Sequence, residues 1–246
     1  MSDEITSLNT EGLVADQIAD MVDTDDIGVE QVRELLHSAE QLMCNYRCAM
    51  LEVETKFRVL DEQFSLQHNR NPIVSIHTRL KTPESIRNKL ERRNLEISLD
   101  SIVENIFDVA GVRVVCSFVD DVYVLAEFLR NQSDIKILEV KDYIKFPKDN
   151  GYRSLHIIIE TPIYLQNEKK MMKVEIQLRT IAMEFWANLE HKMRYKKEIP
   201  EDLRQETATE LLECAILSTE LDRKMQKIRY KIEAGTDEAA EGQQAE

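Results

Sequence analysis

Glu175, Gln177 and Arg179 alternate with Val174, Ile176 and Leu178. Side chains along a strand point to opposite faces with a period of two. This segment therefore offers one apolar face and one carrying a carboxylate, an amide and a guanidinium in a row. Two further segments set polar groups against β-type apolar runs. Asp108-Val-Ala-Gly-Val-Arg113 leads into Val112-Arg-Val-Val-Cys116, and Gly151-Tyr-Arg-Ser-Leu-His156 opens another run. Polar groups in a buried sheet need partners, and a bound ligand would satisfy all three segments. Asp108 and Glu175 are carboxylates of the kind that hold Mg²⁺ against a polyphosphate. The alternative, on spacing alone, is that each pairs with an arginine such as Arg113 or Arg179.

Glycine usage narrows how phosphates would be held. Of six glycines only Gly111 and Gly151 lie away from the chain ends, and neither a Walker loop nor a Gly-x-Gly-x-x-Gly turn occurs. Without a backbone cradle, Lys and Arg side chains must supply the contacts. Arg79, Lys81, Arg87, Lys89, Arg92 and Arg93 form such a cluster, against only Glu84 and Glu91. Lys89 and Arg92 are three apart on a helical pattern and share a face; a solvated basic face is the alternative. Tyr152 lies at a loop–strand junction, where its ring can stack on a base. Ser154 and His156 share a strand face from which both reach a ligand; a core histidine satisfied by a neighbour is the alternative for His156.

The elements that must position these residues follow from periodicity. Residues 31–67 repeat apolar side chains at three- and four-residue spacing from Val32 to Phe64, which predicts a long amphipathic helix. At 1.5 Å per residue it spans roughly 55 Å, more than a small core covers. Thr82-Pro83-Glu84 starts a helix over 83–93, and a second covers 99–107. Strand-like Val112–Phe118, a helix over 120–130, and strands over 135–140, 155–160 and 173–178 follow. Helices over 181–195, with Ala182, Phe185, Trp186, Leu189 and Met193 on one side, and from Pro200 to about Ile232 complete the order. The expectation is an α+β domain over 31–232, a mixed sheet with helices at both ends.

The net charge of −14 sits at the termini: residues 1–30 hold nine acidic side chains and residues 233–246 five, with no Lys or Arg in either. Both ends read as flexible and solvating, and a neutral centre leaves polyanion binding open. No run of about 18 apolar residues occurs, so no membrane span is expected, and an acidic N-terminus is unlike a signal peptide. Cys44, Cys48, Cys116 and Cys214 include no C-x-x-C pair, which fits reduced thiols in a cytoplasm. A zinc site at Cys44 and Cys48 is disfavoured, since zinc normally takes four ligands.

Together the motifs resemble those of the RelA/SpoT-type alarmone synthetases: Arg79-x-Lys81 before Pro83-Glu-Ser-Ile, Lys89 and Arg92, Asp108-x-Ala-Gly-x-Arg113, Gly-Tyr-Arg-Ser-x-His, Glu175-x-Gln-x-Arg-Thr180 and Trp186-Ala-x-x-Glu-His191. The resemblance spans about residues 35–230 and matches the small, single-domain members. It implies a nucleotidyltransferase-like domain with a sheet of about five strands. The implied reaction moves pyrophosphate from ATP to the 3′-hydroxyl of GDP or GTP, giving ppGpp or pppGpp and AMP. By the same resemblance Arg79, Lys81, Lys89, Arg92 and Arg113 bind ATP. Asp108 and Glu175 hold Mg²⁺, and Glu175 also activates the acceptor. Tyr152 stacks on guanine, and Lys141, Lys148, His156 and Gln177 contact the acceptor nucleotide. No His-Asp dipeptide is present, so hydrolysis of the alarmone is not expected. The resemblance also implies homotetramers built through the terminal helices. Glu184 stands where many small synthetases carry Asn, and Ser75-Ile76-His77 where one subgroup has an allosteric Phe-x-Thr stretch. The alternative readings are a toxin-type relative acting on adenosine nucleotides or tRNA, and a non-catalytic RNA- or nucleotide-binding module.

Overall fold

Alternating apolar residues along three segments build the sheet. Val112, Val114 and Cys116, then Leu155, Ile157 and Ile159, then Val174, Ile176 and Leu178, are all buried. In the computed structural model, which describes residues 29–68, 71–194 and 200–244, five strands form: β1 (Ile73–Leu80), β2 (Ala110–Cys116), β3 (Lys136–Asp142), β4 (Leu155–Tyr164) and β5 (Lys169–Thr180). Their order is β1-β2-β5-β4-β3. β2 and β5 run parallel, and the other neighbours are antiparallel. The helices are α1 (Val29–His68), α2 (Pro83–Arg92), α3 (Leu99–Asn105), α4 (Val119–Arg130), α5 (Ile181–Arg194) and α6 (Glu201–Gln244). This is the expected α+β mixed sheet with long helices at both ends. The acidic segment before residue 29 lies outside the described residues.

Register makes the two faces of the sheet different. Arg79 pairs with Gly111, which pairs with Glu175. One step along, His77 pairs with Arg113, Arg113 with Gln177, Gln177 with His156 and His156 with Lys141. Period-two geometry puts all of these on one face. The interleaved residues form the other face, where Val112, Val114, Val174, Ile176, Leu178, Ile157 and Ile159 join one core with Tyr46, Val53, Phe57 and Leu60 of α1 and Val122, Leu125 and Leu129 of α4. Burying a Leu, Ile or Phe contributes about 1.5–3 kcal/mol, so this face supplies the stability and leaves the other free for charge. β1 is an element that sequence reasoning missed: it is an edge strand in which only Ile73 is buried, so its burial shows no period-two alternation.

Two helical expectations need correction. α5 does not bury Phe185, Leu189 and Met193; all three are exposed, and Met183, Trp186 and Ala187 are inside. The helix is rotated because Glu184 is drawn to Arg113 and Arg179 while Trp186 Nε1 donates to the Leu211 carbonyl on α6. α6 does not stop near Ile232, and the 233–246 tail expected to be disordered is helical as far as Gln244. Its Ala, Glu and Gln residues are good helix formers, and extending a helix is far easier than starting one. Among the described residues no helix is long and apolar enough to cross a membrane, and all four cysteines are free.

α6 braces the loop before β4. Arg153 Nη1 donates to Thr219 Oγ1 at 3.0 Å and lies 3.5 Å from Asp222. Thr180 donates to the same Asp222 at 2.8 Å. Gly151 makes this approach feasible: its φ is +85°, and a Cβ there would sit 2.4 Å from Ala215 Cβ. Gly151→Ala should therefore lower the unfolding free energy by about 2–4 kcal/mol, from left-handed backbone strain and overpacking together. Urea denaturation would measure it, and a change within about 0.5 kcal/mol, the range of an ordinary surface substitution, would show that the loop is not wedged against α6.

Candidate active site

The polar face carries a cleft of about 570 Å³ lined by His77, Thr78, Arg79, Lys81, Asp108, Gly111, Val112, Arg113, Glu175, Gln177, Glu184 and Asn188. A smaller cavity of about 200 Å³, lined by Glu139, Lys141, Tyr143, Lys148, His156, Ile158 and Glu175, adjoins it. Glu175 borders both. Gly111 sits between Arg79 and Glu175 in the sheet, so the cleft has no side chain at the centre of its floor.

Asp108 precedes β2, and chain geometry brings two lysines to it. The Lys81 amide donates to the Val109 carbonyl at 2.8 Å, fixing the end of β1 beside Asp108. Thr82 caps α2 by accepting from the Ser85 amide, and the helix then delivers Lys89. Lys81 Nζ lies 3.0 Å from Asp108 Oδ2 and Lys89 Nζ 2.7 Å from Oδ1. Burial pushes the Asp108 carboxyl up, but the hydrogen bonds and charges of Lys89 and Lys81 outweigh it and hold the group below its usual range.

Glu175 ends a directed run of hydrogen bonds. His156 Nδ1 lies 3.1 Å from Glu175 Oε1. An ionised carboxylate only accepts, so Nδ1 carries a proton, and in the neutral ring Nε2 then accepts from Tyr152, 2.8 Å away. Tyr152 in turn accepts from Arg179 Nη2. That same nitrogen donates to Gln177 Oε1 at 3.0 Å, and Gln177 Nε2 donates to Glu175 Oε2 at 2.9 Å. Burial raises the Glu175 carboxyl, and the Asp108 charge adds to this. His156 and Gln177 overcome both, so the net shift is downward and Glu175 is ionised at neutral pH.

Neither Asp108 nor Glu175 takes the arginine partner that spacing allowed. Arg113 Nη1 and Arg179 Nη1 instead hold the two oxygens of Glu184, at 3.0 and 2.7 Å. Burial raises Glu184, and the charges of Arg179 and Arg113 with the Asn188 hydrogen bond more than reverse this.

The structure brings most of the expected residues together. Arg79, Lys81, Asp108, Arg113, Glu175 and Gln177 line the cleft. Lys141, Lys148 and His156 line the smaller cavity, where Lys148 stands 4.9 Å from the Tyr152 ring centroid and 4.7 Å from that of Tyr143. Lys89, Tyr152 and Arg92 are not among the lining residues of either: Lys89 is held on Asp108, Tyr152 on His156, and Arg92 is exposed, with Nε on the Asn88 carbonyl. Ser154 is a correction. It is fully buried, donates to the Leu178 carbonyl and accepts from Arg179 Nε, so it supports the site from behind and does not share His156's exposed face. Sequence reasoning missed Tyr143, whose ring meets His156 edge-on at 5.3 Å, and the central place of Arg179. Arg179's position in the alternating segment was the available signal.

With this geometry in place, similarities to known proteins become specific. Residues 78–200 match a model of the region found in RelA/SpoT proteins. The GTP pyrophosphokinase YwaC of Bacillus subtilis is 41% identical over 83% of this chain and 97% of its own length. The crystal structure of small alarmone synthetase 1 of the same organism bound to its product pppGpp superposes with a TM-score of 0.71 at 32% identity, covering 79% of this chain and 98% of that one. The same synthetase bound to AMPCPP gives 0.66 at 30% identity, over 80% of this chain and 99% of the other.

Asp108→Asn leaves two half-buried lysines without their shared counter-ion and should lower stability at pH 7 by about 1–3 kcal/mol. Because the Asp108 pKa is lower folded than unfolded, its contribution is complete above the ordinary value of 3.8 and disappears as pH falls through the lowered one. The stability gap between wild type and variant, from denaturation at stepped pH, should therefore close on acidification. A gap constant with pH would contradict the assignment.

Proposed function

The chain belongs to the RelA/SpoT family, and from that membership we propose that it is a GTP pyrophosphokinase. It transfers the pyrophosphate of ATP to the ribose 3′-hydroxyl of GDP or GTP, making ppGpp or pppGpp and releasing AMP. The observation that carries this reading is Glu175, an ionised carboxylate on the border between a large basic cleft and a small aromatic cavity. In this reading ATP occupies the large cleft, with Arg79, Lys81 and Arg113 of its lining on the phosphates and Lys89 and Arg92 joining them from α2. The guanosine nucleotide occupies the small cavity, with Tyr152 against the base, Lys141, Lys148 and His156 around it, and Gln177 reaching it from the adjoining cleft.

Mg²⁺ fits the donor set at Asp108 and Glu175. Both are hard oxygen donors that border the cleft, and each Asp108 oxygen, though it holds Lys81 or Lys89, keeps a lone pair for a cation. Held by these two carboxylates, the ion would supply charge neutralisation to the polyphosphate. The chain's own residues do the rest. His156 and Gln177 fix the Glu175 carboxylate, each of whose oxygens keeps a lone pair for the 3′-hydroxyl. The 3′-oxygen forms a bond to the β-phosphorus of ATP, the bond from that phosphorus to the oxygen of the α-phosphate breaks, and the hydroxyl proton passes to Glu175. A carboxylate with a lowered pKa is a weak base, so its larger contribution is orientation of the nucleophile.

We further propose a cytoplasmic homotetramer joined through the terminal helices. Exposed Ile216, Leu217, Leu221, Met225, Ile228 and Ile232 on α6 and Leu51 and Val59 on α1 support that assembly, as do four free thiols a reduced compartment.

Incubated with ATP, Mg²⁺ and a choice of GDP, GTP, ADP or tRNA, the protein should yield AMP and a 3′-pyrophosphorylated guanosine nucleotide. Glu175→Gln should reduce kcat by about a hundredfold or more. Activity restricted to ADP or tRNA, or full activity in Glu175→Gln, would sink the proposal. Tyr152→Ala should raise KM for GDP about tenfold or more while leaving KM for ATP nearly unchanged, since base stacking on an aromatic ring is worth about 1–3 kcal/mol. Equal effects on both substrates would remove Tyr152 from the acceptor side.

A further inference from the structure

Glu184 places one negative charge where two arginines of unequal freedom meet. Its Oε2 accepts from Arg179 Nη1 at 2.7 Å. Its Oε1 accepts from Arg113 Nη1 at 3.0 Å and from Asn188 Nδ2 at 2.9 Å. Arg179 is only 4% exposed, and its remaining donors are committed to Tyr152, Gln177 and Ser154. It cannot leave without unpairing all of them. Arg113 is different. Its side chain is 30% exposed, it borders the cleft, and its buried Nε has no hydrogen-bond partner. An anion entering the cleft can therefore take Arg113, and a guanidinium that turns toward it leaves no partner behind at Nε. Glu184 would keep Arg179 and Asn188.

Resting on the assignment of this cleft to ATP, we propose that Glu184 is an internal competitor for Arg113. The donor polyphosphate binds by displacing Glu184 from that guanidinium, so Glu184 sets donor affinity. The same carboxylate is the standing counter-ion of Arg179, and through Arg179 it is a positioning residue for Tyr152 and Gln177 on the acceptor side. One side chain thus weakens binding of one substrate and supports the platform for the other. This departs from an amide at the same place, which would satisfy an arginine by hydrogen bonding without neutralising it.

The test is binding of the non-transferable ATP analogue AMPCPP, with Mg²⁺, to the full chain by calorimetry, alongside thermal denaturation and GDP binding. Glu184→Gln removes the charge and keeps the shape. AMPCPP should bind about tenfold tighter, the change expected when one charge-assisted hydrogen bond no longer has to be broken. Its affinity should also fall more steeply with salt than in wild type, because Arg113 then meets phosphate uncompensated. GDP should bind more weakly and Tm should drop, because Arg179 loses its counter-ion. Tighter donor binding in a less stable protein is a combination that a merely structural role would not produce. Glu184→Asp keeps the charge but cannot span both guanidinium groups, and it should shift AMPCPP affinity in the same direction by a smaller factor; it serves if the glutamine variant does not fold. Unchanged or weaker AMPCPP binding in the folded variants overturns the proposal while leaving ATP in the cleft. Failure of wild type to bind AMPCPP overturns the ATP assignment and this inference with it.

Discussion

A buried guanidinium must be given both a counter-charge and acceptors, because leaving it short of either costs several kcal/mol. Arg179 is that group here. Glu184 on α5 supplies the charge, Tyr152 and Ser154 from the segment before β4 supply hydroxyl oxygens, and Gln177 supplies an amide oxygen from its own strand. Meeting one side chain's needs therefore draws α5, the Tyr152 loop and the β5 edge of the cleft into a single arrangement. It also polarises that arrangement. Arg179 can only donate, Glu175 can only accept, and every hydrogen bond on the two routes between them points toward Glu175.

The division of the sheet into an apolar and a charged face lets such an arrangement exist without loss of stability. Stability comes from α1 and α4 on one face, where burial is nearly complete. The other face can then hold Arg79, Arg113, Glu175, Gln177 and His156 at register positions that bring them side by side. A protein that binds phosphates through a glycine loop draws on backbone amides at a helix terminus. This chain uses side chains, and most of the cations at the cleft have a resident carboxylate. Asp108 serves Lys81 and Lys89, and Glu184 serves Arg113 and Arg179. Side-chain clamps bring this competition with them, and it makes the clamp's internal anions as important to binding as its cations.

α6 is structural support for the small cavity more than part of it. Asp222 receives Thr180 from the end of β5 and sits beside Arg153, next to Tyr152, and Gly151 allows the loop to lie directly on Ala215. Burial of Asp222 raises its carboxyl, with Thr180 and Arg153 opposing this only in part. The site's own carboxylates Asp108, Glu175 and Glu184 are shifted the other way, because their partners outweigh burial.

The amino-acid sequence by itself determined the period-two alternation of β2, β4 and β5, the cap and proline that start α2, and the identity of the reactive groups Asp108, Glu175, Tyr152, His156 and Gln177. These are local properties, set within a few residues by backbone geometry and side-chain chemistry. The cluster of small-cavity lysines and the basic cleft were legible for the same reason. Which charges neutralise one another was not legible. Arg113 and Glu184 are 71 residues apart, and Lys89 and Asp108 19 apart; spacing offered Arg113 and Arg179 to Asp108 and Glu175, and only the strand order and the turn of α5 gave those arginines to Glu184. The same tertiary contacts placed Ser154 behind the site, exposed the apolar stripe of α5, and made Arg179 the centre of the network. Ion pairing depends on distance through space, which local periodicity does not encode, so the tertiary structure alone decided how this site balances its charge.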